Sequence, residues 1–200
     1  MKKTNSNIKR PFWKEVLWMA TILIAQFLHP FAPVAIIGYL AIFVLLKPEN
    51  VIKAFSLSTL MVVSNPGISE ADSLLGTVKW TLLLAGVLSN FYHYFKVPST
   101  ERHLPSLLLP LWTFSAVVGT LSIISSAQIY LSVAKVLSFS IGASVILISF
   151  SLSLFNFDWK KWFVGLTLVV ASLSLPLLFH PLGYFRNGTG FQGILNQPQA

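Results

Sequence analysis

Cysteine is absent from this chain of 200 residues, and charged residues make up only 10% of it. Without cysteine the chain cannot form disulfides, thiolate metal sites or a thiol nucleophile. Soluble domains carry about 25% charged residues, so the scarcity of charge argues against a soluble protein. The six acidic residues, Glu15, Glu49, Glu70, Asp72, Glu101 and Asp158, all fall in predicted loops or at the flanks of apolar segments. This distribution disfavours a proton-coupled transporter, which usually needs an ionisable group within the membrane.

Apolar residues dominate instead, at 54% of the chain with a mean hydropathy of +0.73. Three long apolar runs predict membrane spans: Leu74–Phe95, Ser106–Ser126 and Ala127–Phe155. A helix of about 20 residues covers the roughly 30 Å hydrocarbon core of a bilayer. A fourth run, Trp162–Phe179, is shorter, and we expect Pro176 to kink or stop its helix.

The first third of the chain leaves two topologies open. Val16–Leu28 and Val34–Leu46 flank the sequence HPFAP and form either one bent span or two short spans. Val51–Val63 either crosses the membrane or lies at its surface. The two topologies therefore have seven or five spans.

The basic residues favour the seven-span topology with a cytoplasmic N-terminus. Lys and Arg collect in cytoplasmic loops, which also accounts for the net charge of +8 without a nucleic-acid partner. Seven spans place eleven of the fourteen basic residues inside: Lys2, Lys3, Lys9, Arg10, Lys14, Lys47, Lys53, Lys96, Arg102, Lys160 and Lys161. Five spans export Lys47 and Lys53 and leave nine inside. We therefore predict an all-α, polytopic transmembrane bundle of about seven spans, one domain over residues 1–200 with no soluble domain.

The three remaining basic residues, Lys79, Lys135 and Arg186, fall on the outer side of this topology. Lys79 is five residues beyond Leu74, about 7.5 Å along a helix, and Lys135 is eight beyond Ala127, about 12 Å. Each lysine either extends its ammonium to the nearby interface or joins Arg186 in a basic pocket for an anionic headgroup. Diphosphate is the obvious candidate, because arginine binds phosphate oxygens in bidentate fashion.

The chain closes with the polar stretch RNGTGFQGILNQPQA, residues 186–200. Gly188, Gly190 and Gly193 allow backbone conformations closed to other residues, so this stretch forms either a tight loop that presents N–H groups to a ligand or a flexible outer loop. No pair of histidines has metal-ligand spacing, and we expect neither a metal nor another cofactor.

This closing stretch resembles the O-antigen ligase and O-antigen polymerase superfamily. The resemblance is carried by Arg186, Gly188, Gly190, Phe191, Gly193, Asn196, Pro198 and Gln199. Family members commonly read arginine, then glycine and an aromatic residue, then Pro-Asn at the start of the next membrane helix. Here Pro198-Gln199 replaces Pro-Asn and retains an amide. Family members are about twice as long, and their large periplasmic loop with its proposed catalytic histidine follows this motif, so the resemblance implies the N-terminal part of such a protein.

The resemblance also implies an activity and a location. It implies a multi-pass protein of the bacterial inner membrane that moves glycans from an undecaprenyl diphosphate carrier at the periplasmic face. Its partners would be that carrier-linked glycan and membrane lipids. Arg186, Lys135 and Lys79 would bind the diphosphate, and the substrate loop would comprise Asn187, Gly188, Gly190, Gly193 and Gln199. No catalytic residue is assigned. The alternatives are a small membrane transporter and a non-catalytic membrane subunit.

Two further patterns concern packing. Ser138, Gly142 and Ser149 predict close helix contacts, because small residues let backbones approach. The tryptophans, which include Trp159 and Trp162, lie mostly near predicted span ends and indicate interfacial anchors.

Overall fold

The computed structural model describes residues 12–29, 31–62, 74–98, 104–154, 157–181 and 184, with the backbone alone for residues 74–79. The only regular secondary-structure elements in these ranges are helices. They contain seven α-helices: α1 Phe12–Ala25, α2 Ala32–Leu46, α3 Pro48–Val62, α4 Leu74–Lys96, α5 Leu108–Ser125, α6 Ile129–Ser153 and α7 Trp159–Ser174. A 3-10 helix, Leu175–Phe179, continues α7. The predicted all-α fold is confirmed at this level.

Each of the seven apolar segments predicted from the sequence corresponds to one α-helix. The first two are separate helices, because α1 ends at Ala25 and the amides of Phe27 and Leu28 close tight turns onto the carbonyls of Ile24 and Ala25. Pro33 then lies in the first turn of α2, where its missing N–H removes no helical hydrogen bond.

Among the described residues, three helical segments are long and apolar enough to cross a membrane: Leu108–Ser125, Ile129–Ser153 and Trp159–Phe179. Their apolar side chains are largely open to the surroundings; Leu109 and Ile124 of α5, for example, are 77% and 78% exposed. Lipid accommodates such surfaces and water does not. The described helices therefore have the dimensions and surface of a helical membrane protein. Helix α2 is also apolar but has only 15 residues, about 22 Å.

The chain divides into two compact units, and the first contains α1, α7 and the 3-10 helix. Helices α1 and α7 pack where Gly165 leaves room: a Cβ there would lie 3.3 Å from side-chain atoms of Phe12, Val16 and Met19. Trp162 is fully buried, with its ring 6.2 Å from that of Trp18. Trp159 is also buried, at 8% exposed. Both tryptophans lie in the first turn of α7, and their role as interfacial anchors stays a prediction.

Both ends of α7 follow from local sequence. Asp158 caps its start by accepting a hydrogen bond from the Lys161 amide at 3.2 Å, and its other oxygen lies 3.0 Å from Lys161 Nζ. The side-chain hydrogen bond from Lys161 lowers the pKa of the Asp158 carboxyl. At the other end the α-helix stops at Ser174, and the chain continues as a 3-10 helix from Leu175. The stop predicted at Pro176 is confirmed.

The second unit contains most of α2 and α3 together with α4, α5 and α6. Helices α5 and α6 form a hairpin with a three-residue turn, Ser126 to Gln128. The Ser126 hydroxyl organises this turn, because it accepts hydrogen bonds from the Gln128 amide at 3.1 Å and from the Ser132 hydroxyl at 2.8 Å. Helices α4 and α6 also pack closely in this unit.

Candidate functional site

Helices α4 and α6 run parallel with a constant register. Leu83 packs over Gly142, Gly86 faces Val145, and Asn90 accepts a hydrogen bond from Ser149. In each pair the α6 residue number is 59 higher than the α4 number. Gly86 is the point of closest approach: a Cβ there would lie 2.8 Å from Val145 Cγ1 and 3.2 Å from Phe55 Cε2 of α3.

A buried polar connection lies in this interface. Asn90 Nδ2 donates to the Val145 carbonyl at 2.7 Å, and the Ser149 hydroxyl donates to Asn90 Oδ1 at 2.6 Å. Asn90 is 4% exposed and Ser149 is fully buried. Both groups of the Asn90 amide are thus satisfied across the interface, which removes the cost of burying them. Asn90 was not identified as a packing residue in the sequence analysis. The signal that could have identified it is an amide side chain within a predicted span.

The predictions of close packing for the three small residues of α6 turn out differently. The predictions for Gly142 and Ser149 are confirmed, because both contact α4. Ser138 is half-buried, and its hydroxyl donates to the Lys135 carbonyl in its own helix at 2.9 Å. Gly86 leaves less room for a side chain than Gly142, because an added Cβ would meet a neighbouring atom at 2.8 Å instead of 3.8 Å. Gly86 was not identified from the sequence.

Lys79 and Lys135 both lie near the starts of their helices: Lys79 is the sixth residue of α4 and Lys135 the seventh of α6. Lys135 is exposed and lies six residues after Ile129, about 9 Å. The helix starts two residues later than the predicted span, so Lys135 is nearer the helix end than the sequence indicated. The Lys79 side chain lies outside the described part of the structure.

Arg186 and the loop residues Asn187, Gly188, Gly190, Gly193 and Gln199 lie outside the described residues. The described chain that leads to them is turned back on itself after the 3-10 helix. The Tyr184 amide donates to the Pro181 carbonyl at 3.1 Å, and the Tyr184 hydroxyl donates to the Leu178 carbonyl at 2.8 Å. Arg186 follows Tyr184 by two residues in the sequence.

The C-terminal end of α2 is satisfied by side chains from α3 and α4. The last carbonyls of a helix have no partner within it. Here two of them accept side-chain hydrogen bonds: Phe43 from Asn50 at 2.8 Å, and Val44 from Ser89 at 2.7 Å. Helices α2 and α3 are joined by Lys47 alone, so the end of α2 and the start of α3 both lie beside the last turns of α4.

Lys53 of α3 is buried at the same end of this unit. Its side chain is only 7% exposed, and its ammonium lies 3.9 Å from the centre of the Phe157 ring, just beyond α6. A cation over an aromatic face is stabilised by the ring quadrupole. This contact joins the start of α3 to the segment between α6 and α7. The sequence assigned Lys53 only to a cytoplasmic flank.

The described residues contain no group of three or more histidine, aspartate or glutamate side chains that could hold a metal ion. What they define is a class: a helical protein with three segments of membrane-spanning length and apolarity. Comparisons with protein-family models, with curated proteins and with solved structures give no match to this chain.

Proposed function

We propose that this chain is the membrane part of a glycan transferase of the O-antigen ligase or polymerase type. The observation that carries the proposal is the closing sequence, in which Arg186 and the glycine-rich stretch follow the apolar run Trp159–Phe179 after six intervening residues. An arginine just beyond a membrane helix is well placed for a diphosphate at the headgroup level of a carrier lipid. The acceptor and the sugar are left open.

In this proposal the basic residues act on the leaving group. Transfer of a glycan breaks its bond to the carrier diphosphate, and negative charge grows on the departing oxygen. Arg186 would bind the phosphate oxygens in bidentate fashion, with Lys135 and Lys79 adding positive charge. Groups aimed at a developing charge can lower a barrier by several kcal/mol.

The proposal includes seven spans with a cytoplasmic N-terminus in the bacterial inner membrane. The contact between Lys53 and Phe157 supports this topology. Both topologies place the segment between α6 and α7 inside, whereas the five-span alternative places Lys53 outside. The hydrogen bond from Ser89 to the Val44 carbonyl gives the same support, because the end of α4 is inside in both topologies and the five-span alternative places the end of α2 outside.

Cysteine labelling tests the topology without background, because the natural chain has no cysteine. We expect Lys47→Cys to react with a membrane-impermeant maleimide only after the inner membrane is permeabilised. Gln128→Cys, in the turn between α5 and α6, should react from the outside in intact spheroplasts and serves as the matched positive control. Lys160→Cys serves as the inside control. Labelling of Lys47→Cys from the outside would exclude the seven-span topology.

Replacement of the arginine tests the function. In a strain that lacks the gene, we expect Arg186→Gln to restore surface polysaccharide about 100-fold less efficiently than wild type, as for loss of one charge-stabilising group. Arg186→Lys should recover part of the activity, because it keeps the charge and loses the bidentate geometry. Gel analysis of surface polysaccharide and quantification of carrier-linked glycan measure both.

Lys96→Gln is the control for loss of one positive charge and should behave as wild type. Lys96 is the last residue of α4 and lies on the cytoplasmic side in the proposed topology, away from Arg186. The decisive negative result comes from the deletion strain. Unaltered polysaccharide there, with no accumulation of carrier-linked glycan, would rule out the transferase.

The buried Asn90 amide gives no support to the transporter alternative. A transport pathway needs polar groups that can exchange partners with a solute, and the Asn90 amide is satisfied by Val145 and Ser149.

A further inference from the structure

We propose that α2 and α4 present a short apolar face to the membrane, and that the partner of this face is a bilayer thinner than usual. The hydrocarbon core beside these two helices is about 18–24 Å thick, against about 30 Å for an ordinary bilayer. The inference rests on the seven-span topology proposed above, in which α2 crosses the membrane. It does not depend on the transferase activity.

Helix α2 has one packed side and one open side. Tyr39, Ile42 and Leu46 on the open side are 49%, 67% and 65% exposed. Leu40 and Val44 on the other side are fully buried. The helix contains no charged residue. In a protein that spans the membrane the open side contacts lipid, so the length of this side sets the thickness of hydrocarbon that it fits.

Polar groups limit this face at both ends of α2. The apolar run from Phe31 to Leu46 is sixteen residues long, about 24 Å as a helix. At the inner end Lys47 follows at once, and its ammonium lies 3.8 Å from the Glu49 carboxylate. At the outer end Nδ1 of the exposed His29 accepts a hydrogen bond from the Phe31 amide at 3.2 Å. Charged groups and the free first amides of a helix need water or headgroups, so the face ends at these residues.

The last turns of α4 mark the inner boundary of the membrane at the level where α2 ends. In the proposed topology both helices run from outside to inside, and the Ser89 hydroxyl donates to the Val44 carbonyl at 2.7 Å. Tyr92 and Leu46, which follow these residues by three and two positions, therefore lie at nearly the same level. Tyr92 is 54% exposed, and the Lys96 ammonium lies 4.1 Å from the centre of its ring. Exposed tyrosine and a charged group are typical of the membrane–water interface.

Helix α4 also carries an aromatic marker toward the outside. Trp80 is 41% exposed, and Lys79 precedes it in the sequence. Trp80 comes twelve residues before Tyr92, about 18 Å along the helix. The exposed residues between them include Leu84 and Leu88, at 59% and 63%. Although α4 has 23 residues, its apolar face toward lipid is no longer than that of α2.

Helix α6 indicates that the short face is local to α2 and α4. In the register of α6 on α4, Ser151 lies at the level of Tyr92, and it is exposed. Toward the outside Tyr130 is 93% exposed and comes twenty-one residues before Ser151, about 32 Å. Helix α6 thus fits a bilayer of ordinary thickness. With one inner boundary and two lengths, we infer that the outer leaflet is drawn inward beside α2 and α4 by about 10 Å.

Two other responses to a short span do not fit these observations. Tilting reduces the thickness that a helix covers, so it increases the mismatch of α2. A flanking lysine can extend through the interface to reach water. Lys47, however, is already exposed and close to the Glu49 carboxylate, and drawing both charges into hydrocarbon is unfavourable.

The test measures the stability of the full-length protein in bilayers of different thickness. Phosphatidylcholine nanodiscs are prepared with monounsaturated chains of fourteen, sixteen, eighteen or twenty carbons, and near-UV circular dichroism follows thermal unfolding. We expect the highest midpoint with fourteen or sixteen carbons, at least about 3 °C above the midpoint with twenty. A maximum at eighteen or twenty carbons overturns the inference, and so does a midpoint that does not depend on chain length.

A variant with a longer apolar face assigns the effect to these helices. Tyr92→Leu/Lys96→Leu extends the apolar side of α4 by about one turn, and we expect its optimum to move to longer chains. Tyr130→Leu replaces an exposed aromatic residue of α6 outside the short face, and this matched control should keep the optimum of wild type. An optimum that stays unchanged in the double variant overturns the inference.

A depth measurement decides the matter if the double variant does not fold. Because the natural chain has no cysteine, Phe31→Cys and Leu46→Cys each accept a single fluorescent label. Lipids that carry a spin label at the headgroup or deep in the acyl chain quench this label according to its depth. In eighteen-carbon lipid we expect the headgroup label to quench more strongly at both positions. Stronger quenching by the deep label at either position overturns the inference. Quenching by neither label also overturns it, because protein would then cover α2.

Failure of this inference is distinguishable from failure of the proposed function. If the deletion strain has normal polysaccharide while the short-chain optimum persists, the transferase is excluded and the fit to a thin bilayer stands. If Lys47→Cys is labelled from the outside, the seven-span topology fails and the inference fails with it. Loss of the short-chain optimum alone removes the inference and leaves the transferase.

Discussion

Gly86→Ala is expected to lower the free energy of unfolding by about 1–3 kcal/mol, the usual cost of overpacking a well-filled interior. The new methyl group would meet Val145 Cγ1 at 2.8 Å and Phe55 Cε2 at 3.2 Å. The first contact is shorter than carbon atoms tolerate and the second is tighter than an ordinary van der Waals contact, so α4 must move away from α6 or the side chains must shift. Unfolding in mixed micelles of increasing SDS fraction measures the change.

Gly38→Ala is the matched control for this variant. It makes the same substitution within α2, and its new methyl group meets no atom within 4 Å. Alanine is a better helix former than glycine by about 1 kcal/mol, so Gly38→Ala should leave stability unchanged or raise it. The opposite signs of the two variants would separate the steric clash from helix propensity.

A second substitution tests whether the clash with Val145 causes the loss of stability. Val145→Ala removes the atom that lies 2.8 Å away, and we expect Gly86→Ala/Val145→Ala to be more stable than the sum of the single changes predicts. Residues in direct contact typically couple by about 0.5–3 kcal/mol. Additive effects of the two substitutions would contradict close packing at this point.

Asn90→Ala should cost about 1–3 kcal/mol, because it removes the partner of a buried hydroxyl and leaves a space between α4 and α6. Asn90 joins α4 both to the Val145 carbonyl and to the Ser149 hydroxyl. Ser149→Ala should cost less, since it removes one of these two hydrogen bonds. The same micelle titration measures both.

Ser138→Ala is the control for the loss of a hydroxyl from α6, because Ser138 bonds only within its own helix, and its effect should be close to zero. In a double-mutant cycle, Asn90 and Ser149 should show a coupling energy of about 0.5–2 kcal/mol, in the range measured between membrane helices. A coupling energy of zero would mean that the hydrogen bond between Asn90 and Ser149 adds no stability.

The number and order of the helices could be predicted from the sequence because apolar runs and prolines determine them locally. Pro176 ends α7 wherever the helix lies, and the prolines near Phe31 separate α1 from α2. The predicted bounds of α4 were close to the observed ones for the same reason: the helix ends at Lys96, and the prediction was Phe95.

Partners across helices could not be predicted, because they depend on register between segments far apart in the chain. The hydrogen bond from Ser149 to Asn90 joins residues 59 positions apart, and no local pattern specifies that offset. The burial of Trp162 could not be predicted for a related reason. In a membrane protein an apolar residue facing lipid and one facing another helix satisfy the same hydropathy, so periodicity does not tell them apart.

The residues of the candidate site also differ in how much of their placement could be predicted from the sequence. The positions of Lys79 and Lys135 near the starts of α4 and α6 follow from counting residues along the apolar runs. Their depth in the membrane stays a prediction. Arg186 and its loop rest on the sequence resemblance, since they lie outside the described residues.

The end of α2 has a consequence for biosynthesis. The side chain that satisfies its Val44 carbonyl belongs to Ser89, 45 residues later in the sequence. A carbonyl without a partner in hydrocarbon costs several kcal/mol. In the proposed topology this end of α2 lies at the cytoplasmic face, where water serves as the partner until α4 has been synthesised. Ser89 then replaces that water, so the last turn of α2 reaches its final packing only after α4 is present.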